Sequence, residues 1–423
     1  VTSHQVQLLF ADLALILVLA RGLGALATRV GQPAVVGEIV AGILLGPTLL
    51  SDGISEALFP AEVQSVLAGI ADLGLAVFMF AVGLEVDTGA LRGRGRPAVG
   101  AIVGATLVPF GLGLGLGFHL LRAHPVEGSP AAAFVVFIGL AVSVTAFPVL
   151  ARILEDRGLF ATPLGGLALA VAAIVDVAAW VALAAVQAMV GGEAALWRAG
   201  LFVCYAALLF LVVRPLLRGF LSAGGAGGPL TPWTFAVLLS GTLLSAVATQ
   251  AMGMHLIMGA FLFGLIMPRG GGGPALRAEL EDRLGQLTAV LLPVYFVVAG
   301  LRIDLASLDV SDLWLLCLIM AVAVAGKVGG TYLGLRTQGM PARPSAAIAA
   351  LMNTRGLTGP VVLGVGLQFG LLDDPLYSLM VVMTLLTTLM TGPLLSLTLR
   401  GHADEPAAAG GAREPTGRTA VPP

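Results

Sequence analysis

The sequence predicts an all-α polytopic membrane protein of about thirteen transmembrane helices, arranged as two inverted six-helix repeats. Of 423 residues, 58% are hydrophobic and 11% charged, with mean hydropathy +0.99. No water-soluble domain could bury so much apolar surface. Apolar runs long enough to cross a bilayer recur along nearly the whole chain, and helix-breaking segments sit at matching places in its two halves.

Spans are predicted near residues 6–28, 33–50, 64–84, 97–120, 130–153, 162–190, 195–217, 232–250, 252–268, 286–302, 312–335, 344–370 and 376–399. The first has neither a basic leading region nor a small-residue cleavage site, and reads as a retained helix rather than a signal peptide. In the fourth, the alternating glycines Gly111 to Gly117 resemble a nucleotide loop only as text, because no strand precedes them. They read as close helix packing, as do Gly100/Gly104 and Gly330/Gly334. The fifth span is interrupted by Ser143 to Val149 and the twelfth by Asn353 to Pro360. An offset of seven spans makes residues about 6–190 one repeat, 195–217 a connector helix and 232–399 the second repeat. Gly270 to Gly273 with Pro274 reads as a flexible connector, and Ala275 to Leu287 as a short amphipathic helix or solvated hinge before the tenth span. The transmembrane domain thus fills 1–400, and 401–423 reads as a disordered tail rich in Ala, Gly and Pro. With no soluble domain after the last span, control by an appended nucleotide-binding module is not expected.

Arginines give an independent test of the count. With the N-terminus outside, the inside loops collect Arg29, Arg92, Arg94, Arg96, Arg152, Arg157, Arg214, Arg218, Arg269, Arg277, Arg283, Arg336 and Arg343. The outside loops carry Asp52, Glu56, Glu62, Glu193, Asp309, Asp312, Asp373 and Asp374. An odd number of spans, with a cytoplasmic C-terminus in the cell membrane, fits every loop. It also leaves the eighth span starting on the opposite face from the first, as inverted repeats require.

Lys327, the only lysine, lies in an apolar stretch from Leu313 to Leu335 with no other charged side chain, and Asp176 is the single ionisable group between Arg157 and Glu193. Charges in mid-membrane cost several kcal/mol, about 2.5–3.5 on insertion scales, so each needs a partner or a purpose. A buried acid and a buried base, each alone in its span, are expected to meet. Asp176 could equally serve helix packing, and Lys327 could form a purely structural salt bridge. Ser143, Thr145, Asn353 and Thr354 could lend oxygens to a dehydrating cation, although such side chains often bond their own backbone. Glu38 and Arg355, the lone acid and base of the second and twelfth spans, read as a structural or gating ion pair; Asp12 and Asp72 read as structural.

Several ordered motifs resemble the monovalent cation:proton antiporter-2 family, which includes plant cation/proton exchangers and bacterial sodium or potassium/proton antiporters. They are Gln32 to Glu38 leading to Gly42-Ile-Leu-Leu-Gly-Pro47, Leu75 to Glu85, Ser143 to Arg152, Asp176-Val-Ala-Ala-Trp180, Gly259 to Gly264 and Leu351 to Leu357. The resemblance implies a sodium/proton antiporter-like fold with two crossed discontinuous helices, a scaffold, a moving core and a homodimer. It makes Asp176 the shared cation and proton site and Lys327 the basic partner. The sequence departs from the family at Val175, where a second polar ligand is often present, and at Gly359-Pro360.

A carboxylate that takes either a proton or an alkali cation (Na+ or K+), but not both, gives antiport if the bare carboxylate cannot easily change sides. One carboxylate implies electroneutral exchange; loss of a proton from Lys327 on cation binding would instead make it electrogenic. The alternative is a proton-coupled exporter of an organic solute on the same fold, since fold does not settle substrate. Nothing in the chain calls for enzymatic chemistry, a cofactor or nucleic acid, and Cys204 and Cys317, both in apolar segments, are not expected to pair.

Overall fold

A computed structural model describes residues 3–50, 58–85, 95–123, 130–159, 162–190, 195–223, 230–268, 273–303, 310–356 and 358–399. The acidic loop residues at 52, 56, 193 and 309, the arginines at 92, 94 and 269, most of the glycine connector (270–272) and the tail expected to be disordered lie outside these segments.

Among the described residues, thirteen crossings follow in order. They are α1 (Ser3–Arg29), α2 (Ala34–Leu45), α3 (Ala61–Glu85), α4 (Gly95–Ala123), the broken pair α5 (Ala131–Ser143) and α6 (Phe147–Asp156), and α7 (Pro163–Val190). The connector is α8 (Ala195–Leu208), which widens into a π segment at Leu209–Val213 before α9 (Arg214–Ala223). The second half has α10 (Pro232–Ala251), α11 (Leu256–Leu265), α12 (Gly273–Leu301), and α13 (Val310–Val324) joined through a π segment (Ala325–Gly329) to α14 (Gly330–Thr337). The broken pair α15 (Ala342–Met352) and α16 (Thr358–Gln368) and the last helix α17 (Asp374–Leu399) complete it. Trp197, Trp233 and Trp314 are exposed near the starts of their helices, where aromatic rings anchor spans at the membrane interface. Cys204 and Cys317 are free and exposed.

Two differences from the expected boundaries have plain causes. The tenth span is not preceded by a separate amphipathic helix, because Ala275 to Leu287 is the first half of one continuous α12. Nor is it a free hinge. Ion pairs Arg277 to Glu281 at 2.7 Å and Arg283 to Glu279 at 2.5 Å brace its surface, and Glu279 accepts from the Leu230 N–H at 2.7 Å. The ninth span is short because its chain enters through a turn and becomes helical only at Leu256, with His255 as N-cap.

Packing sorts the spans into two bundles. The fourth, fifth, sixth, eleventh, twelfth and thirteenth pack on one another and hold both broken helices, and the first, second, third, eighth, ninth and tenth form the second bundle. The connector helix joins the cluster of the latter through Leu209, Leu217 and Leu221.

Glycine crossings reveal the repeat. A Cβ on Gly42 would lie 2.3 Å from the Val297 carbonyl oxygen and one on Gly300 2.5 Å from that of Ile39. Across the pseudo-twofold, Gly264 and Gly83 face the carbonyls of Phe80 and Phe261 at 2.2 Å each, in the same register. Gly37 on Leu23 and Gly259 on Ser245 form another matched pair. Gly100 and Gly104 meet Gly334 and Gly330 at the centre of the core bundle, where a Cβ on Gly104 would sit 2.1 Å from the Gly330 oxygen. Without side chains, backbones approach closely enough for van der Waals packing to replace the hydrophobic effect that lipid removes. The Gly111 to Gly117 run divides: Gly113 and Gly117 pack on the fifth span, but Gly111 and Gly115 face open space.

Gly330→Val is expected to force the fourth and eleventh spans apart and cost about 1–3 kcal/mol, read as a lowered melting temperature in detergent. Gly115→Ala, with nothing within 4 Å, is expected to leave it unchanged.

Candidate ion-binding site

The site begins with what breaking two helices leaves behind. Where α5 stops, its last carbonyls lack helical partners, and inside a membrane each needs a donor. Val144 turns to extended backbone (ψ 143°), and Pro148 opens the next half-helix without an N–H to contribute. The twelfth span breaks at Asn353 to Gly356, where Gly356 takes φ +35° and Val149 lies so close that a Cβ would fall 2.4 Å from its Cγ2. The two interruptions meet: the Ala146 N–H donates to the Thr354 carbonyl at 2.9 Å and the Thr145 hydroxyl to the Met352 carbonyl at 3.4 Å.

Two buried cations take the freed carbonyls. Lys327, fully buried in the π segment of the eleventh span, donates from Nζ to the Ser143 carbonyl at the end of α5 and to the Ala105 carbonyl at 2.9 Å. Arg355, also fully buried, donates to the Ala141 carbonyl at 2.9 Å and to Ala323 at 3.4 Å. Positive charge at the negative end of a helix dipole is the favourable arrangement. The wide π turn aims Lys327 at this end, and such turns commonly mark functional sites.

Asp176 is 3% exposed, so it faces the bundle interior and not lipid. It stands on α7 among small neighbours, Ala172, Ala173 and Ala179, and interacts electrostatically with Lys327, as Arg355 does. One carboxylate and two cations therefore share a low-dielectric region, and the lone acid and base of the sixth and eleventh spans lie within Coulombic reach of each other.

The remaining expected residues divide. Ser143 turns its hydroxyl back to the Leu140 carbonyl at 2.9 Å; its carbonyl is what serves Lys327. Asn353 donates to the Thr387 carbonyl at 3.2 Å, and Thr354 contacts the Thr391 hydroxyl at 3.2 Å. Glu38 and Arg355 do not pair in the described contacts. Arg355 is drawn to carbonyls in the core bundle, whereas Glu38, 8% exposed on the second span, has Arg21 as its charge partner.

A row of buried threonines on the thirteenth span, Thr384, Thr387, Thr388 and Thr391, escapes a reading that follows charges. Its spacing of three, four and seven is nonetheless visible in the sequence as one helix face. The row backs the twelfth-span break, with the Thr388 hydroxyl accepting from the Gly356 N–H at 2.9 Å.

A cavity of about 860 Å³ opens between the bundles near Gly31, Arg157 and Glu281. These mark one face, where the first span ends, the fifth ends and the tenth begins. The cavity is lined by Glu38, Val82 and Leu292 from one bundle and reaches Val149 on the half-helix α6.

The sodium/hydrogen exchanger transmembrane family model matches residues 14–401. The chain belongs to this family. It is 36% identical over 408 residues to the Na(+)/H(+) antiporter NhaS4 of Synechocystis sp. (strain ATCC 27184 / PCC 6803 / Kazusa), covering 93% of this chain and 97% of that relative. It is also 36% identical over 394 residues to Cation/H(+) antiporter 18 of Arabidopsis thaliana, covering 91% of this chain and 48% of the plant protein. The chain spans about half the length of the plant relatives it matches first. The solved sodium proton antiporter MjNhaP1 from Methanocaldococcus jannaschii at pH 8 aligns at TM-score 0.67 and 15% identity, over 94% of this chain and 99% of that one. That likeness establishes the shared fold.

Thr388→Val in this family member is expected to leave the Gly356 N–H without its acceptor at a cost of about 1–3 kcal/mol, read as lower thermal stability of the purified protein than Thr398→Val at the helix end.

Proposed function

We propose that this exchanger-family chain carries a monovalent alkali cation, Na+ or K+, in exchange for protons by alternating access, with Asp176 as the shared site. The observation that carries the reading is the enclosure of a single carboxylate within Coulombic reach of Lys327, beside two crossing helix breaks. A proton or a cation can neutralise Asp176, and in a low-dielectric interior the bare carboxylate is too costly to move across. Only loaded forms then cross, and exchange follows.

Exchange is electroneutral in this proposal. One proton exchanged for one monovalent cation at a single carboxylate moves no net charge, and the Lys327 side chain is anchored by the backbone carbonyls of Ala105 and Ser143. The absence of a second polar ligand at Val175, which is 1% exposed among apolar neighbours, supports a one-for-one site. Thr145 and Asn353, at the edges of the breaks, lend oxygens that help replace water around the cation in this proposal. The core bundle moves against the other bundle, the protein works as a homodimer in the cell membrane, and the arginine-bearing face with the C-terminus is cytoplasmic.

In proteoliposomes with a trapped pH dye, Na+ or K+ is expected to dissipate a proton gradient while choline does not, and an imposed membrane potential is expected to leave the rate unchanged. A potential-dependent rate would reject the one-for-one scheme. Asp176→Asn is expected to remove exchange while the protein still elutes as a folded species; full activity in that variant would remove the assignment.

A further inference from the structure

The two ends of the seam between the bundles are unlike. At the arginine-bearing end lies the 860 Å³ cavity. The described hydrogen bond that crosses between bundles beside it is a weak one, from Gln32 Nε2 to the Leu389 carbonyl at 3.3 Å. At the opposite end the bundles are stitched. Gln187, 3% exposed near the end of α7, accepts from the His255 backbone N–H at 2.8 Å, and the His255 side chain lies within interaction range of that of Gln368 near the end of α16. His255 also caps α11 by accepting from the Ile257 N–H. Below this cluster Trp180 of the core packs on Phe261 of the ninth span with ring centroids 6.3 Å apart, and Met258 is buried in the same apolar seam.

The inverted repeat makes the comparison sharper. The register that equates Gly37 with Gly259 and Gly42 with Gly264 equates Pro33 with His255. Gln32 and His255 therefore occupy related corners, one binding the thirteenth span at the open end and one binding the sixth at the closed end. In an inverted-repeat transporter the open and closed ends exchange roles when the core moves.

We propose that Gln187, His255 and Gln368 form the latch that holds the far gate shut, and that opening to that face requires the Gln187–His255 hydrogen bond and the His255–Gln368 contact to break. Gln187 and Gln368 are positioning residues: they set the balance between the two open forms and do not touch the carried ion. This rests on the alternating-access reading of the same fold, but it is tested without transport, so failure of the exchange assay and failure of the latch are separate outcomes.

The test uses reporter thiols in a background carrying Cys204→Ser and Cys317→Ser. Ile257→Cys, at a fully buried position beside His255, reports the closed seam, and Ala81→Cys, at a partly exposed position on the cavity wall, reports the open cavity; labelling with a charged, water-soluble thiol reagent is followed in detergent, where both faces are accessible. A membrane hydrogen bond is worth about a threefold shift in population, so the double variant Gln187→Met, Gln368→Met is expected to raise the labelling rate of the seam reporter by at least about threefold. The rate of the cavity reporter is expected to fall in the same protein. Each single Met variant is expected to give an intermediate change, which keeps the test open if the double variant does not fold. Unchanged rates overturn the proposal, and so do two rates that rise together, because general loosening opens both sites whereas a latch trades one for the other.

Discussion

Everything around the candidate site depends on how the broken fifth helix has its carbonyl ends satisfied inside a membrane. No water is available in the hydrocarbon core to take them, and a free carbonyl there costs several kcal/mol. Lys327 and Arg355 supply the donors from two other spans. This arrangement explains both why two cations tolerate full burial and why the unwound segments are stable enough to exist. It also gives Asp176 a fixed positive surrounding without requiring either cation to pair with it alone.

The same contacts connect packing to movement. Glycine crossings join spans within each bundle at backbone contact, so each bundle is stiff, whereas the interface between bundles relies on side chains. A cavity at one end and a hydrogen-bonded apolar seam at the other leave the interface as the place where two arrangements can be close in energy. Packed interfaces of this kind switch between discrete states more readily than they deform. The carboxylate sits on the stiff core, near the broken helices, where a small rigid-body shift would alter which face it meets.

Much of this was legible in the chain. The count of spans, the two interruptions and the isolation of Asp176 and Lys327 follow from hydropathy, helix breakers and the cost of intramembrane charge, each a local property. The repeat was also written there more fully than its interruptions suggest. Gly37 to Gly42 recurs as Gly259 to Gly264, and Gly83-Leu-Glu-Val-Asp87 as Gly300-Leu-Arg-Ile-Asp304. Such matches are easily lost in a composition dominated by Gly, Ala and Leu. The threonine row of the last span had a readable period and no charge to draw notice.

What the sequence by itself determined is membership of a class: a thirteen-span membrane chain with isolated intramembrane charges, Asp176 and Lys327 foremost, that each need a partner or a purpose, because hydrocarbon penalises each residue without reference to its neighbours. Partnership was decided by the tertiary structure. Arg355 turned to the carbonyls of Ala141 and Ala323 instead of Glu38, Lys327 gained Ser143 and Ala105, and His255 met Gln187 and Gln368 across the seam. Those choices depend on which backbone groups the helix breaks set free and on which face each crossing presents, and distances along the chain do not encode either.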